Sequence, residues 1–391
     1  MKCVLMNKNK EIAVLELNTE FNIIEKIYEV YNIEYAPLSF KNAFYSKTTN
    51  NEKALNQWYR GRGIPDWRKD LKSLLENLNI KSTEELLNKS YGLSLSDQYW
   101  IKEESQKELK WENINFFTNE FKYKGYLKVS LSSSNNNEEI DLYSPNNTTD
   151  GMLQKAWIIE NGKRVLVKGT YYSANQEPIN EWLVSQLCQK LNFDYCDYSI
   201  DVIGGKIVSK CENFINENQE IITAYDIWNS EKKDNNTSDF EHYINILEKN
   251  GIVNAKKSLQ DMILIDFLVM NFDRHLKNFG VIRNVETLKW KKLTPIFDTG
   301  ESMQCNKLIN EINFYDGKCK FFSNTNNDIS KLLEFIDLSN YDFDKLYEIG
   351  KIFKQKLLKF KQFTDMSDER IEKLYNGLEY RIKLLASKKK S

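Results

Sequence analysis

The segment Asn271-Phe272-Asp273-Arg274-His275-Leu276-Lys277-Asn278-Phe279-Gly280 concentrates carboxylate, amide and imidazole groups. After two strand-like runs, Ile296-Phe297-Asp298-Thr299-Gly300 adds another carboxylate. A carboxylate that orients a hydroxyl, with hard oxygen donors that hold a divalent cation on a polyphosphate, is the basic equipment of phosphoryl transfer. Asp273 suits the first task, and Asn278 and Asp298 suit the second. Two close carboxylates repel by ~4 kcal/mol at an effective dielectric of about 20, so Mg²⁺ is implied, with Mn²⁺ as a substitute. Mg²⁺ takes few protein ligands and keeps phosphate and water for the rest.

Asp273 to Asn278 is the interval that separates the catalytic Asp from the metal-binding Asn in the protein-kinase loop. Spacing alone discriminates poorly, because it recurs at Asp266 and Asn271 inside an apolar helix. There Asp266 is expected to cap or pair locally. Context separates the two matches: Asp273 leaves a helix end within Asp-Arg-His, and a hairpin then leads to Asp298-Thr299-Gly300. That triplet takes the place of the kinase D-F-G, whose Asp binds Mg²⁺ and whose Gly is expected to permit a tight turn. Upstream, the strand Arg164 to Lys168 ends in a lysine where a kinase puts its phosphate-binding lysine. Glu181 and Glu177 are the candidate ion-pair partners on the next helix, and Glu181 is preferred because it lies further inside it. The turn Thr148 to Lys155 is expected to cover phosphates with backbone N–H groups, using Gly151 and the Lys155 ammonium. It lacks G-x-G-x-x-G, so a flexible linker is the competing reading.

The elements that must hold these groups can be read from periodicity. Lys2 to Met6 and Glu11 to Leu17 are strand-like runs around the polar turn Asn7 to Lys10. A helical pattern with Trp58, Leu71, Leu74, Leu75 and Leu78 is broken by Gly61 to Pro65. Ser132 to Thr149 has loop composition. Ala156 to Glu160, Asn161-Gly162 and Arg164 to Lys168 form a hairpin, with a helix from about Pro178 to Leu191. From about Ile221 the chain reads as mainly helical. Ser258 to Met270 is apolar around nearly its whole circumference, the mark of a helix buried in a larger domain. Helices near Tyr341 to Phe360 and Asp368 to Leu385 close the chain, the latter capped by Ser367. The aromatics from Leu93 to Trp100 and Trp111 to Phe117 are expected to anchor one subdomain on the next, with a recognition surface as the alternative.

At 391 residues, two or three subdomains around a shared cleft are the natural prior. Hydrophobic residues at 41% and charged residues at 28% exclude a disordered chain. No apolar stretch approaches the length of a membrane span, and the run at Met1 to Met6 is too short for a signal peptide. A cytoplasmic protein is expected. The net charge of −1 argues against direct nucleic-acid binding, and Lys388-Lys389-Lys390 reads as a solvated chain end. Six cysteines without a C-x-x-C pair read as buried reduced thiols. The two histidines, His242 and His275, lack zinc-ligand spacing.

At Asn271, Asp273, His275, Asn278 and Asp298 the chain resembles the HipA-like serine/threonine protein kinases, whose catalytic region reads N-x-D-x-H-x-x-N before a metal-binding Asp. The resemblance runs from about residue 125 to the end, and the Ser96 to Trp100 region is similar to the N-terminal part of larger members. It implies an α+β, bilobed protein-kinase-like fold with a small β-rich N-lobe and a mostly helical C-lobe, plus an N-terminal α+β appendage. The corresponding boundaries are 1–125 for the accessory module, 126–215 for the N-lobe and 216–391 for the C-lobe. It further implies ATP as phosphate donor, Asp273 as catalytic base, Asn278 and Asp298 as Mg²⁺ ligands, and Lys168 as phosphate ligand. His275 would steady the loop as a neutral imidazole. A Ser/Thr protein substrate such as a translation component, an antitoxin-like partner, and phosphorylation at Ser144, Thr148 or Thr149 are further implications. Asp-Arg-His-x-x-Asn with a later Asp-x-Gly is also similar to the phosphatidylinositol 3-/4-kinase signature, which leaves a lipid or small-molecule hydroxyl open. The reading from another class is a catalytically idle kinase-like module that binds a partner through residues 1–125.

Overall fold

The two apolar runs at the start of the chain pair as antiparallel strands, Lys2–Asn7 and Lys10–Asn18. The computed structural model describes residues 1–47, 50–131, 140–322 and 327–390. Ile23–Val30 and Tyr99–Glu103 complete an antiparallel sheet of four strands, with Tyr99–Glu103 beside Lys2–Asn7. Both faces of this sheet are covered. Cys3 and Leu5 pack with Phe40, Leu55 and Tyr59 on one side, and Val4 and Met6 pack with Trp100, Trp111 and Phe116 on the other. This two-sided burial explains why the first strand is apolar throughout rather than alternating. The aromatic segment also touches Trp157 and Ile159 of the next sheet, which is the anchoring role expected of it.

The second sheet, also antiparallel, runs in the order Lys155–Glu160, Lys163–Lys168, Lys206–Glu212, Tyr198–Ile203. Its first hairpin turns at Asn161 and Gly162, both with positive φ, the backbone that a two-residue turn between right-twisted strands requires. Helix Glu177–Leu191 packs against this sheet. Residues 144–149 are not an open linker: Pro145–Thr148 form a 3₁₀ turn capped by Ser144, and Ser144 and Thr149 are buried. The rest of the Ser/Asn-rich segment, 132–139, lies outside the described residues.

The second lobe is mainly helical around Ala255–Val269, which is buried on most sides. The expectation of helix from Ile221 onward needs correcting. Gln219–Thr223 is a strand and pairs with Gly280–Asn284, which in turn pairs with Trp290–Leu293. Gly280 is required there, because a Cβ would lie 2.0 Å from the Ile222 carbonyl oxygen. The Tyr341 region is 3₁₀ rather than α-helix, so the first closing helix starts at Ile349 and ends at Phe360. The last helix is Asp368–Lys390, and its Arg370 N–H donates to Ser367 Oγ at 3.1 Å. The architecture is a small β-sheet lobe and a larger helical lobe with an α+β module ahead of both, a kinase-like fold. All six cysteines are buried and unpaired. No helix of the described residues is long and apolar enough to cross a membrane.

Candidate active site

Lys168 ends its strand only 2% exposed. Its ammonium bonds to Glu181 Oε1 and, at 2.6 Å, to Asp298 Oδ1. Ser209 Oγ donates to the other oxygen of Glu181. Glu177 does something else: its Oε1 accepts the N–H groups of Tyr171 and Tyr172, both at 2.7 Å. Of the two candidate partners, then, Glu181 pairs with Lys168 and Glu177 holds the chain that leaves the strand. Burial disfavours the Lys168 ammonium, but Asp298 and Glu181 outweigh it and raise its pKa above the ordinary lysine value. Burial likewise pushes the Asp298 carboxyl up, yet Lys168 and Lys155 hold it well below the usual carboxylate range. The Asp298 side chain remains 26% exposed while Glu181 is 1% exposed, so Asp298 is the carboxylate that faces the cleft.

Asp298 sits in the left-handed region, with φ +53°, which costs ~1 kcal/mol for a residue with a Cβ. Its N–H donates to the Tyr198 hydroxyl at 3.2 Å. Gly300 was expected to make the tight turn, but the positive φ belongs to Asp298. Gly300 instead allows close approach, since a Cβ there would lie 3.3 Å from Glu177 Cβ. Asn180 secures the contact by donating to the carbonyls of Gly300 and Ser302 at 2.8 and 2.9 Å. The helix that carries Glu181 therefore also fixes the segment that carries Asp298.

The other half of the site follows helix Ala255–Val269, which stops at Met270 with φ +54°. Arg274 turns inward, 1% exposed, and its guanidinium grips Asp266 through Nε at 2.8 Å and Nη2 at 3.0 Å. Asn271 Nδ2 donates to the same carboxylate at 2.8 Å. Asp266 thus pairs locally, as expected for the second spacing match, and the pair organises the loop of the first. Arg274 Nη1 donates both to the Asn278 carbonyl at 2.7 Å and to the Phe297 carbonyl at 2.8 Å. One side chain thereby ties the backbone at Asn278 to the residue preceding Asp298.

Asp273 is 20% exposed, with Oδ1 at 2.8 Å from Lys320 Nζ and Oδ2 at 3.6 Å from His275 Nε2. His275 Nδ1 accepts the Lys277 N–H at 3.2 Å, which assigns the ring proton to Nε2, facing Asp273. Burial lowers the His275 pKa against the pull of Asp273 and Asp298, so the ring is neutral at neutral pH. Asn278 spends its amide N–H on the Asp273 carbonyl at 3.1 Å, which leaves Oδ1 as its oxygen donor.

Sequence reasoning missed Lys320, Glu301 and the structural use of Arg274. Lys320 stands in no motif and reaches Asp273 only through folding. Glu301 directly follows Asp298-Thr299-Gly300, and its carboxyl is pushed up to about 8 by burial and by the charges of Asp273 and Asp298. Burial leads that shift, and the two like charges add to it. The donor chemistry fits Mg²⁺: an ionised carboxylate at Asp298 and an amide oxygen at Asn278. No set of three His, Cys, Asp or Glu side chains among the described residues is arranged as a metal cage, so such a cation would complete its shell with phosphate and water. Lys155, whose Nζ donates to the Asp150 carbonyl at 2.8 Å beneath Gly151, adds a second ammonium to this side of the cleft.

Residues 147–335 match the family model described as the HipA-like C-terminal domain. The matched residues make up just under half of the chain. Among solved structures, HipA of Shewanella oneidensis MR-1, determined as a toxin–antitoxin complex with HipB and operator DNA, matches at a TM-score of 0.53. That match has 12% identity and covers 100% of this chain and 99% of HipA. The Helicobacter pylori proinflammatory kinase CtkA matches at a TM-score of 0.45 with 16% identity, covering 60% of this chain and 94% of CtkA. No curated protein sequence matches the chain. The likeness to HipA establishes the fold, and every residue singled out in the site falls within residues 147–335.

Proposed function

We propose that this HipA-like protein is an ATP- and Mg²⁺-dependent phosphotransferase acting on a serine or threonine hydroxyl. The observation that carries the proposal is the buried Lys168 bonded at once to Glu181 and Asp298, close to an Asp273–Asn278 loop tied to Asp298 through Arg274. A lysine held by a helix glutamate beside an acidic turn is the arrangement that positions the phosphates of ATP in kinases.

In this reading Lys168 and Lys155 hold phosphate oxygens, and Asn278 with Asp298 holds the cation. Mg²⁺ supplies charge neutralisation on the transferring phosphoryl group. Asp273 accepts the hydroxyl proton, and Lys320, already at 2.8 Å from that carboxylate, orients it. His275 keeps the loop in register and takes no proton. Residues 1–125, 126–215 and 216–391 act as accessory module, N-lobe and C-lobe. An antitoxin-like partner is part of the proposal, supported by the shared fold with HipA. Autophosphorylation at Thr149 or Ser144 would require those buried hydroxyls to leave their hydrogen bonds, so it belongs to an opened state of the loop.

Transfer of radiolabelled phosphate from ATP with Mg²⁺, compared between wild type and Asp273→Asn, tests the reading. Labelling by wild type and not by the variant is expected. Equal labelling from both would leave the chain as a kinase-like binding module.

A further inference from the structure

Four successive carbonyls of the glycine turn each accept a hydrogen bond. Arg68 Nη2 donates to the Thr149 carbonyl at 2.6 Å, and Arg68 Nε donates to the Gly151 carbonyl at 2.9 Å. Lys155 Nζ takes the Asp150 carbonyl at 2.8 Å, and the Lys69 N–H takes the Met152 carbonyl at 3.1 Å. Arg68 Nη1 also donates to Thr149 Oγ1 at 2.7 Å. Three of these four carbonyls are thus claimed by residues of the N-terminal module. A row of backbone N–H groups makes an anion-binding concavity, and here the Gly151 N–H is held by the Asp150 carboxylate at 2.7 Å, which a bound phosphate would have to displace.

The burial of Arg68 sharpens the point. It is 6% exposed, its guanidinium bonds to no carboxylate among the described residues, and its hydrogen bonds go to this turn. Neighbouring contacts extend the grip: Lys69 Nζ donates to the carbonyls of Thr170 and Tyr171 at 3.1 and 3.2 Å, just beyond Lys168. Asp70 accepts from Gln154 at 2.8 Å. The same module also holds the other lobe. The Ile221 N–H donates to the Ser96 carbonyl at 2.9 Å, and Gln98 Nε2 donates to the Gln219 carbonyl at 2.6 Å. The strand they hold pairs with Gly280–Asn284, which continues directly from Asn278.

We propose that the N-terminal module is a working part of the nucleotide site, in which Arg68, with Lys69, is a positioning residue that orients the 149–152 turn so that its N–H groups meet the phosphates of ATP. The inference rests on the ATP-dependent reading above. It makes residues 1–125, through Arg68 and Lys69, a brace for the phosphate-covering turn, distinct from their contacts to the Gln219–Thr223 strand.

The test compares ATP titrations and initial rates for wild type, Arg68→Ala, Arg68→Lys, Thr149→Val and Gln98→Ala, with hydrogen exchange of the 149–152 amides measured alongside. For Arg68→Ala, KM for ATP should rise at least tenfold with kcat within about threefold. Arg68→Lys, which keeps the charge and loses the fork, should recover part of that, and Thr149→Val should give a rise of about two- to threefold. Gln98→Ala touches only the module's separate hold on the Gln219–Thr223 strand, which plays no part in orienting the 149–152 turn, and should leave KM near wild type. Unchanged KM in both Arg68→Ala and Thr149→Val overturns the inference, as does an equal rise in Gln98→Ala. If Arg68→Ala does not fold, Thr149→Val decides. A wild type that binds no ATP removes the parent reading, and amide exchange then still judges the brace: exchange at 149–152 equal in wild type and variants refutes it.

Discussion

Asp266→Asn separates what the buried ion pair does for stability from what it does for the site. Asp266 and Arg274 are each 1% exposed, and the Asp266 carboxylate accepts from Arg274 Nε, Arg274 Nη2 and Asn271 Nδ2. The amide keeps the shape but leaves a guanidinium without its counter-charge in the core, which costs ~3–5 kcal/mol. Against a typical stability of ~5–15 kcal/mol, the variant should fold and show a clearly lower urea midpoint by tryptophan fluorescence. The double variant Asp266→Leu with Arg274→Met removes both charges, so much of that loss should return. Activity should not return, because Arg274 Nη1 is also the shared donor to the carbonyls of Asn278 and Phe297. Among the described residues no other side chain bonds both the Asn278 carbonyl and the Phe297 carbonyl. Phosphate transfer should stay at least a hundredfold down, on the order of 2.7 kcal/mol in transition-state stabilisation. If the double variant recovers rate in proportion to stability, the idea that Arg274 aligns the two halves of the site is wrong.

Glu181→Gln weakens the Lys168 pair while leaving Asp298 in place, so KM for ATP should rise on the order of tenfold, or 1.4 kcal/mol, in a steady-state titration. The Glu301 carboxyl, pushed up to about 8, keeps its proton in the folded protein at pH values where the unfolded chain, near 4.5, has lost it. Stability should therefore fall as pH rises from about 4.5 to about 8 and level off above, and Glu301→Gln should flatten that slope in urea titrations across the window. Gly280→Ala drives a Cβ to within 2.0 Å of the Ile222 carbonyl, so the strand behind the catalytic loop must shift. A loss of ~1–3 kcal/mol or more is expected, read as a drop in melting temperature, with activity falling alongside because Asn278 is two residues away.

Much of the site was legible in advance because its signals are local. The Asp273–Asn278 interval, the later Asp298, the Asn161-Gly162 hairpin and the apolar helix before the loop each depend on residues within one or two turns or strands of one another. Periodicity reported these elements with boundaries near those observed. It failed at Gln219–Thr223, where a short strand was absorbed into a helical reading because its pairing partner lies far along the chain.

The amino-acid sequence by itself determined which oxygen and nitrogen donors exist for the proposed phosphoryl transfer and which short elements carry them. Only the tertiary structure decided their partners. Glu177 and Glu181 lie about one helical turn apart and are equivalent by spacing, and the docking of that helix on the sheet chose Glu181 for Lys168. Asp266 and Asp273 carry the same interval to an asparagine, and burial assigned one to Arg274 and left the other facing the cleft. Lys320 and Arg68 belong to no motif, because a side chain's reach is a few ångströms in space and places no limit on separation along the chain. Lobe packing brings them to Asp273 and to the glycine turn.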